Sequence, residues 1–150
     1  MKIYIGADHR GFDFKEKIIK LLDAGKYDVI DMGAYNSEVS CDYPKVAYKV
    51  ATRVAKDKNS RGILLCMSGI GQAMAANKVK GAYAALCYNP QAAQLSRAHN
   101  NSNILVLGAK FVKPNEIKKI INVWLTTPFE GGRHLRRINQ VRNIEKGIKV

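Results

Sequence analysis

Apolar residues recur along this chain in two alternating rhythms. Residues 2–6 form a short run rich in β-branched and aromatic side chains, and Phe14, Ile18, Leu21 and Leu22 then share one helical face. Val29 and Ile30 lie in a short segment closed by Gly33, after which Pro44 opens a helical pattern with Val46, Ala47, Val50 and Val54 in register. The alternation continues with a strand over 62–66, an alanine-rich helix over 71–78, a strand over 83–88 and a helix over 90–98 capped by Asn89. A fifth strand covers 104–107. Pro114 then begins the most regular helix, in which Ile117, Ile120, Ile121, Trp124 and Leu125 make a core-facing stripe. Such alternation predicts an α/β fold, a three-layer sandwich whose parallel sheet carries helices on both faces through right-handed crossovers.

From Phe129 onward the pattern changes. A Gly131-Gly132 hinge leads into Leu135, Ile138, Val141 and Ile144, interleaved with basic residues. This tail helix has no strand of its own, so its apolar stripe is expected to dock on another subunit. At 150 residues the chain is long enough for one well-buried core. One domain over 1–150 is therefore expected, with 129–150 as a C-terminal arm.

Charge and cysteine usage narrow the setting. Lysine and arginine number 25 against 12 acidic residues, a net +13 that favours an anionic partner, phosphate or nucleic acid. Part of the surplus is local to the tail, with Arg133, Arg136, Arg137, Arg142, Lys146 and Lys149. Cys41, Cys66 and Cys87 lack the paired spacing of a zinc site and cannot all pair with one another, which points to a reduced, cytoplasmic home. Residues 1–8 lack the apolar core of an export signal, and the longest apolar run, 82–88, falls far short of the ~20 residues that cross a bilayer.

In open parallel sheets ligands bind beyond the carboxyl ends of the strands, so the strand-end loops hold the candidate chemistry. These are Asp8-His9-Arg10-Gly11 after strand one, Cys66-Met67-Ser68-Gly69-Ile70-Gly71 after strand three, and His99-Asn100 and Gly108-Ala109-Lys110 on either side of strand five. The Ser68-Gly69-Ile70-Gly71 stretch opens a helix, so its N–H groups and the helix dipole converge on one spot and suit an oxyanion. Taken alone, a Gly-x-Gly is better read as a tight turn, and it matches neither a P-loop nor a dinucleotide fingerprint. Cys66 ends an apolar strand directly before that loop, where N–H dipoles favour a thiolate able to act as base or nucleophile. Cys41 and Cys87 read as inert filler. His9, His99 and His134 are each weak signals alone, and Asp8 reads equally as a helix cap.

Read together, Ile5-Gly6-Ala7-Asp8-His9-Arg10-Gly11-Phe12, Asp42-Tyr43-Pro44, Gly62-Ile63-Leu64-Leu65-Cys66-Met67-Ser68-Gly69-Ile70-Gly71, Ala75-Ala76-Asn77-Lys78-Val79, His99-Asn100 and Phe129-Glu130-Gly131-Gly132-Arg133-His134 resemble ribose-5-phosphate isomerase type B. The match is collinear and spans nearly the whole chain. The related allose and galactose 6-phosphate isomerases share much of it.

The resemblance implies a Rossmann-like five-stranded sheet in the order 2-1-3-5-4. It also implies reversible conversion of ribose 5-phosphate into ribulose 5-phosphate without metal or organic cofactor. Cys66 would be the base at C2 and C1, with the backbone from Met67 and Ser68 through Gly69, Ile70 and Gly71 as anion hole. Relatives that lack the cysteine place a glutamate at the position of Gln72, so this chain resembles the cysteine-using branch. His99, helped by Ser68, would open the furanose, and Asp8 would shuttle a proton between O1 and O2. Tyr43 and Asn100 would contact sugar hydroxyls. Phosphate would fall to His9, Arg133 and Arg137, with His134 nearby, while Lys110 would meet Asp8 and Cys66 where strands one, three and five end.

Family sites are shared between the two subunits of a homodimer, which can pair further into a dimer of dimers. The tail of one chain reaches the cysteine loop of the other. Two departures bear on rate and substrate preference. Met67 replaces a usual glycine and would be strained if the position needs φ > 0, and Lys110 replaces a usual arginine and loses its fork. The competing readings are a hexose 6-phosphate isomerase, a non-catalytic phosphosugar sensor and a nucleic-acid-binding module, the last without a recognisable motif.

Overall fold

The computed structural model describes residues 1–22 and 27–150. Strands β1 (Lys2–Ala7), β2 (Asp28–Asp31), β3 (Arg61–Cys66), β4 (Ala84–Leu86) and β5 (Ile104–Gly108) form one sheet in the order β2-β1-β3-β5-β4, with every pairing parallel. The order implied by the resemblance is the order observed. Helices α1 (Phe12–Leu22), α2 (Tyr43–Lys56), α3 (Ile70–Ala76), α4 (Pro90–Ala98) and α5 (Ile117–Thr126) connect and follow the strands, and α6 (Gly132–Glu145) forms the tail.

Strands buried on both faces carry continuous apolar runs, and successive side chains supply opposite layers. Ile3, Ile5, Ile63, Leu65, Leu105 and Leu107 pack with residues of α1, α4 and α5, including Ile18, Ala93, Ile120 and Trp124. Tyr4, Leu64, Ile104 and Val106 face the other way, onto Val46, Val50 and Val54 of α2 and Ala76 of α3. Removing these side chains from water at about 25 cal/mol per Å² of apolar surface is what holds the helices to the sheet.

Three boundaries differ from the sequence pattern by two or more residues. Strand β4 covers Ala84–Leu86 rather than 83–88, and α3 ends at Ala76 rather than at 78. One contact accounts for both: the Asn77 amide donates to the Ala84 carbonyl at 2.9 Å and accepts from its N–H at 2.8 Å, closing the helix and covering the outer edge of β4. Pro114 opens a single 3₁₀ turn (Pro114–Glu116), and the α-helix proper starts at Ile117. The Asn89 cap forms as expected, its side chain accepting from the Ala92 N–H at 2.8 Å.

The loop between α4 and β5 is fixed from below. The Trp124 indole is fully buried and its N–H donates to Ser102 Oγ at 2.9 Å, which lies 3.0 Å from Ser96 Oγ. Arg97 Nη1 donates to Asn101 Oδ1 at 2.9 Å and to the Ser102 carbonyl.

Helix α6 is anchored at both ends to the amino edge of the sheet. The Glu130 N–H donates to the Ala98 carbonyl at 3.0 Å, and Glu145 Oε1 accepts from the Gly81 N–H at 3.1 Å. Of its apolar stripe only Ile138 is buried, while Leu135, Val141 and Ile144 stay exposed. No helix among the described residues is long and apolar enough to cross a membrane.

Candidate active site

Connections leave β1 and β3 toward opposite ends of the sheet, which opens a crevice beyond their carboxyl ends. Asp8 and Cys66 stand at that crevice. The Asp8 N–H donates to the Leu65 carbonyl at 3.2 Å, and the Ala109 and Lys110 N–H groups donate to the Cys66 and Met67 carbonyls at 2.9 and 3.0 Å. Parallel pairing thus sets the loops after β1, β3 and β5 side by side, as the strand order requires.

Cys66 is buried, and its Sγ accepts from the Gly69 N–H at 3.0 Å. That bond needs the chain to turn back on itself at once, which Gly69 permits with φ +83 and which a side chain would block by striking Leu86. The Ile70 N–H reaches Ser68 Oγ at 3.3 Å, and the first bond into the helix is from the Ala73 N–H to the Gly69 carbonyl. The N–H groups of Gly71 and Gln72 belong to the unpaired first turn and are left for a ligand. Gly71 also lets the Tyr43 ring pass close by, where a Cβ would sit 2.7 Å from it.

Met67 is not strained. Among the described non-glycine residues only Asn101 has positive φ, and the Met67 side chain is exposed, its Sδ 3.6 Å from Arg10 Nη1. The position therefore needs no left-handed backbone, and that condition for strain at Met67 is not met. Gln72 is fully buried behind the loop, where its Nε2 donates to the same Leu65 carbonyl that takes the Asp8 N–H, at 3.1 Å. Its Oε1 has no partner.

The Asp8 carboxylate is buried, and one of its oxygens accepts from the Arg10 and Gly11 N–H groups at 3.0 and 2.9 Å. Burial pushes its pKa above the ordinary 3.8, against the opposing pull of the Gly11 N–H, the His9 charge and the Arg10 N–H. A carboxyl moved upward in this way is suited to carrying a proton rather than to holding a fixed charge. Between its unfolded and its raised folded pKa the native state holds the extra proton, so this group lowers stability as pH rises through that window. Asp8→Asn is accordingly expected to unfold at a higher temperature than the parent at pH 7, with the gap closing as pH falls toward about 4. Thermal unfolding across pH 3.5 to 7, by circular dichroism, checks this.

His9 is oriented by the Cys41 N–H, which donates to its Nδ1 at 3.2 Å. Its Nε2 therefore carries the proton of the neutral ring and is the nitrogen free to donate. Cys41, read as inert filler, thus has a backbone role.

The remaining predicted site residues lie elsewhere. His99 caps the far end of α4, and its loop enters β5 at Ile104, the residue paired with Gly62 at the start of β3. His99 and Asn100 therefore sit at the amino edge, whereas Cys66 pairs with Gly108 at the carboxyl edge. The paired residues between these edges, at ~3.3 Å per step, separate them by roughly 13 Å or more. Grouping His99-Asn100 with the carboxyl-end loops is thus corrected: the loop that carries them precedes a strand.

At the amino edge these residues form a second cluster. The rings of His99 and His134 stack at 4.1 Å with planes 5° apart, and the Nε2 of each lies 3.6 and 3.5 Å from Glu130 Oε2. Burial, then the neighbouring His99 and Arg133 charges, pulls the His134 pKa down. Arg133 and Arg137 are exposed on the same helix start. Glu130 carried no role in the sequence reading, although its i, i+4 spacing to His134 was visible. The ligand atoms of His99, Glu130 and His134 all lie within 4.8 Å of one another, a set of donors that suits a transition metal.

These two clusters carry the motifs of one family. A model of the Ribose/Galactose Isomerase family matches residues 3–141. The chain belongs to the ribose/galactose isomerase family. It is 42% identical over 145 residues to ribose-5-phosphate isomerase B of Escherichia coli, covering 97% of each chain. Among solved family structures, ribose-5-phosphate isomerase B from Clostridium thermocellum superposes with a TM-score of 0.94 at 44% identity, covering 98% of this chain and 99% of that one. The ribose-5-phosphate isomerase B of Mycoplasma genitalium, solved with bound ribulose-5-phosphate, gives 0.92 at 42% identity, covering 97% and 96%.

Proposed function

We propose that this member of the ribose/galactose isomerase family interconverts D-ribose 5-phosphate and D-ribulose 5-phosphate through a cis-enediolate. The observation that carries the reading is the Cys66 sulfur held 3.0 Å from the Gly69 N–H at the head of an amide-lined turn. A backbone N–H directed at sulfur supports its anionic form, and a thiolate can take the proton from C2 of the open-chain sugar. The electrons left behind pass to the carbonyl oxygen, where the unpaired N–H groups of Gly71 and Gln72 oppose the developing charge. Return of the proton to C1 gives the ketose. Asp8, lifted by burial toward a neutral state, moves the remaining proton between O1 and O2.

In this reading Ser68 and His99 open the furanose, and Tyr43 and Asn100 hold sugar hydroxyls. His9 Nε2, Arg133 and Arg137 take the phosphate, the guanidiniums through paired donors, with His134 and Lys110 beside it. The separation of His99, Asn100, Arg133 and Arg137 from Cys66 within one chain requires a second copy to complete each site. A homodimer supplies it when α6 and the α4–β5 loop of one subunit meet the cysteine turn of the other. Exposed apolar groups suit such a contact: Leu135, Val141 and Ile144 on the tail, and Met67, Ile70 and Met74 around the turn.

A panel of aldose phosphates tests the substrate. Ribose 5-phosphate is expected to turn over with kcat/KM at least about tenfold above allose 6-phosphate, because one extra sugar carbon misfits a pocket by about 1–3 kcal/mol. Equal or better turnover of the six-carbon sugar would assign the chain to the hexose branch.

A further inference from the structure

Beside α6 the chain encloses a cavity of about 510 Å³ that neither half-site uses. Lys58, Arg61, Arg97 and Arg142 line it, Asn101 and Asn103 add amides, and no carboxylate is among its described lining residues. Two acidic groups lie nearby, and Glu145 is bonded to residues of the cavity wall itself. Glu145 accepts from the Gly81 N–H and, at 3.3 Å, from the Tyr83 hydroxyl, while Asp57 accepts from the Asn59 N–H at 3.1 Å.

Arg97 is the telling residue. It is only 6% exposed, and both of its hydrogen bonds leave from Nη1, so Nε and Nη2 keep donors without a described protein partner. Arg61 donates from Nη1 to the Ser60 carbonyl at 2.9 Å. Burial and the charge of Arg61 bring Arg97 down to about 10, and burial lowers Arg61 as well. Two partly desolvated guanidiniums facing one cavity, neither paired with a described carboxylate, is a costly arrangement, which a bound anion would relieve.

We propose that this cavity is a second anion site, distinct from both halves of the isomerase site, which takes a phosphate-bearing small molecule. Its volume lies within the ~300–1,000 Å³ of small-molecule pockets and exceeds what a single phosphate fills, so the ligand carries a body as well as its charge. A concave pocket of this size suits a metabolite better than a nucleic-acid backbone, which needs an extended basic track. Sugar phosphates and nucleotides share the required chemistry.

Calorimetric titration of the full chain with inorganic pyrophosphate tests this, in an Arg133→Ala/Arg137→Ala background that silences the tail guanidiniums. One pyrophosphate per chain is expected. Adding Lys58→Ala and Arg142→Ala, both at the rim and outside the core, is expected to weaken it at least about tenfold, since each charge-assisted contact contributes about 1.5–3 kcal/mol. Competition by ADP or by sorbitol 6-phosphate tells a nucleotide ligand from a sugar phosphate. Absence of binding in the background variant, or an affinity unmoved by the rim substitutions, would overturn the proposal. So would single-stranded RNA binding this face more tightly than pyrophosphate.

Discussion

Cys66→Ala is expected to lower kcat for ribose 5-phosphate by about 10³-fold with little change in KM. A positioned general base contributes roughly 10²–10⁴-fold, and alanine leaves no group at this position able to accept a proton. Neither neighbour substitutes for it. Gln72 is buried with its amide nitrogen committed to the Leu65 carbonyl, and an amide is no base. Asp8 has one oxygen held by two backbone N–H groups and is placed for the oxygens rather than for carbon. The phosphate contacts assigned to His9, Arg133 and Arg137 do not involve the sulfur, so binding survives. Steady-state kinetics together with a far-ultraviolet circular dichroism spectrum matching the parent checks both halves of the expectation. Activity within tenfold of the parent would remove Cys66 as the base.

The second large effect comes from mixing chains. Cys66→Ala and His99→Ala proteins are each expected to be nearly inactive, one lacking the proposed base and the other the imidazole proposed to open the ring. Refolded together in equal amounts, they are expected to regain about a quarter of parental activity. Random pairing makes half of the dimers mixed, and each mixed dimer joins one intact Cys66 edge to one intact His99 edge. The argument rests on sheet geometry: Gly62 pairs with Ile104 at one edge and Cys66 with Gly108 at the other, with His99 beyond the first and the catalytic turn beyond the second. Activity of the mixture equal to the mean of its parents would place the whole site within one chain.

Much of this architecture was legible in the sequence, for reasons that particular residues make plain. The run from Gly62 to Cys66 reads as a strand because a parallel sheet buries both of its faces, and Pro44, Pro90 and Asn89 mark helix starts through their backbone chemistry. Alternation of five such units with helices fixes the class. What was not legible depends on contacts distant in sequence. Asn77 ends α3 because it clamps Ala84 across the edge of the sheet, and no local pattern reports that bond.

The site was read with the same strengths and the same gap. The glycine-rich turn behind Cys66 announced itself, since Gly69 and Gly71 sit where a left-handed backbone and a close tyrosine ring demand them. His99 precedes strand five in sequence, and the sheet register, with Ile104 paired to Gly62 at the start of β3, sets its loop at the edge opposite Cys66. Met67 raised an expectation of strain that ordinary backbone geometry removes. Glu130 went unassigned because its value lies in reaching two stacked imidazoles at once, and His99 stands far from it in sequence.

The most direct test of the central claim is proton NMR of ribose 5-phosphate incubated with the native chain in D2O. Proton transfer by Cys66 through an enediolate predicts ribulose 5-phosphate with deuterium at C1 in the fraction of turnovers in which the thiol proton exchanges with solvent, and about 10³-fold slower formation of it by the Cys66→Ala protein. Absence of ribulose 5-phosphate, or its formation by the Cys66→Ala protein at the native rate, would contradict it.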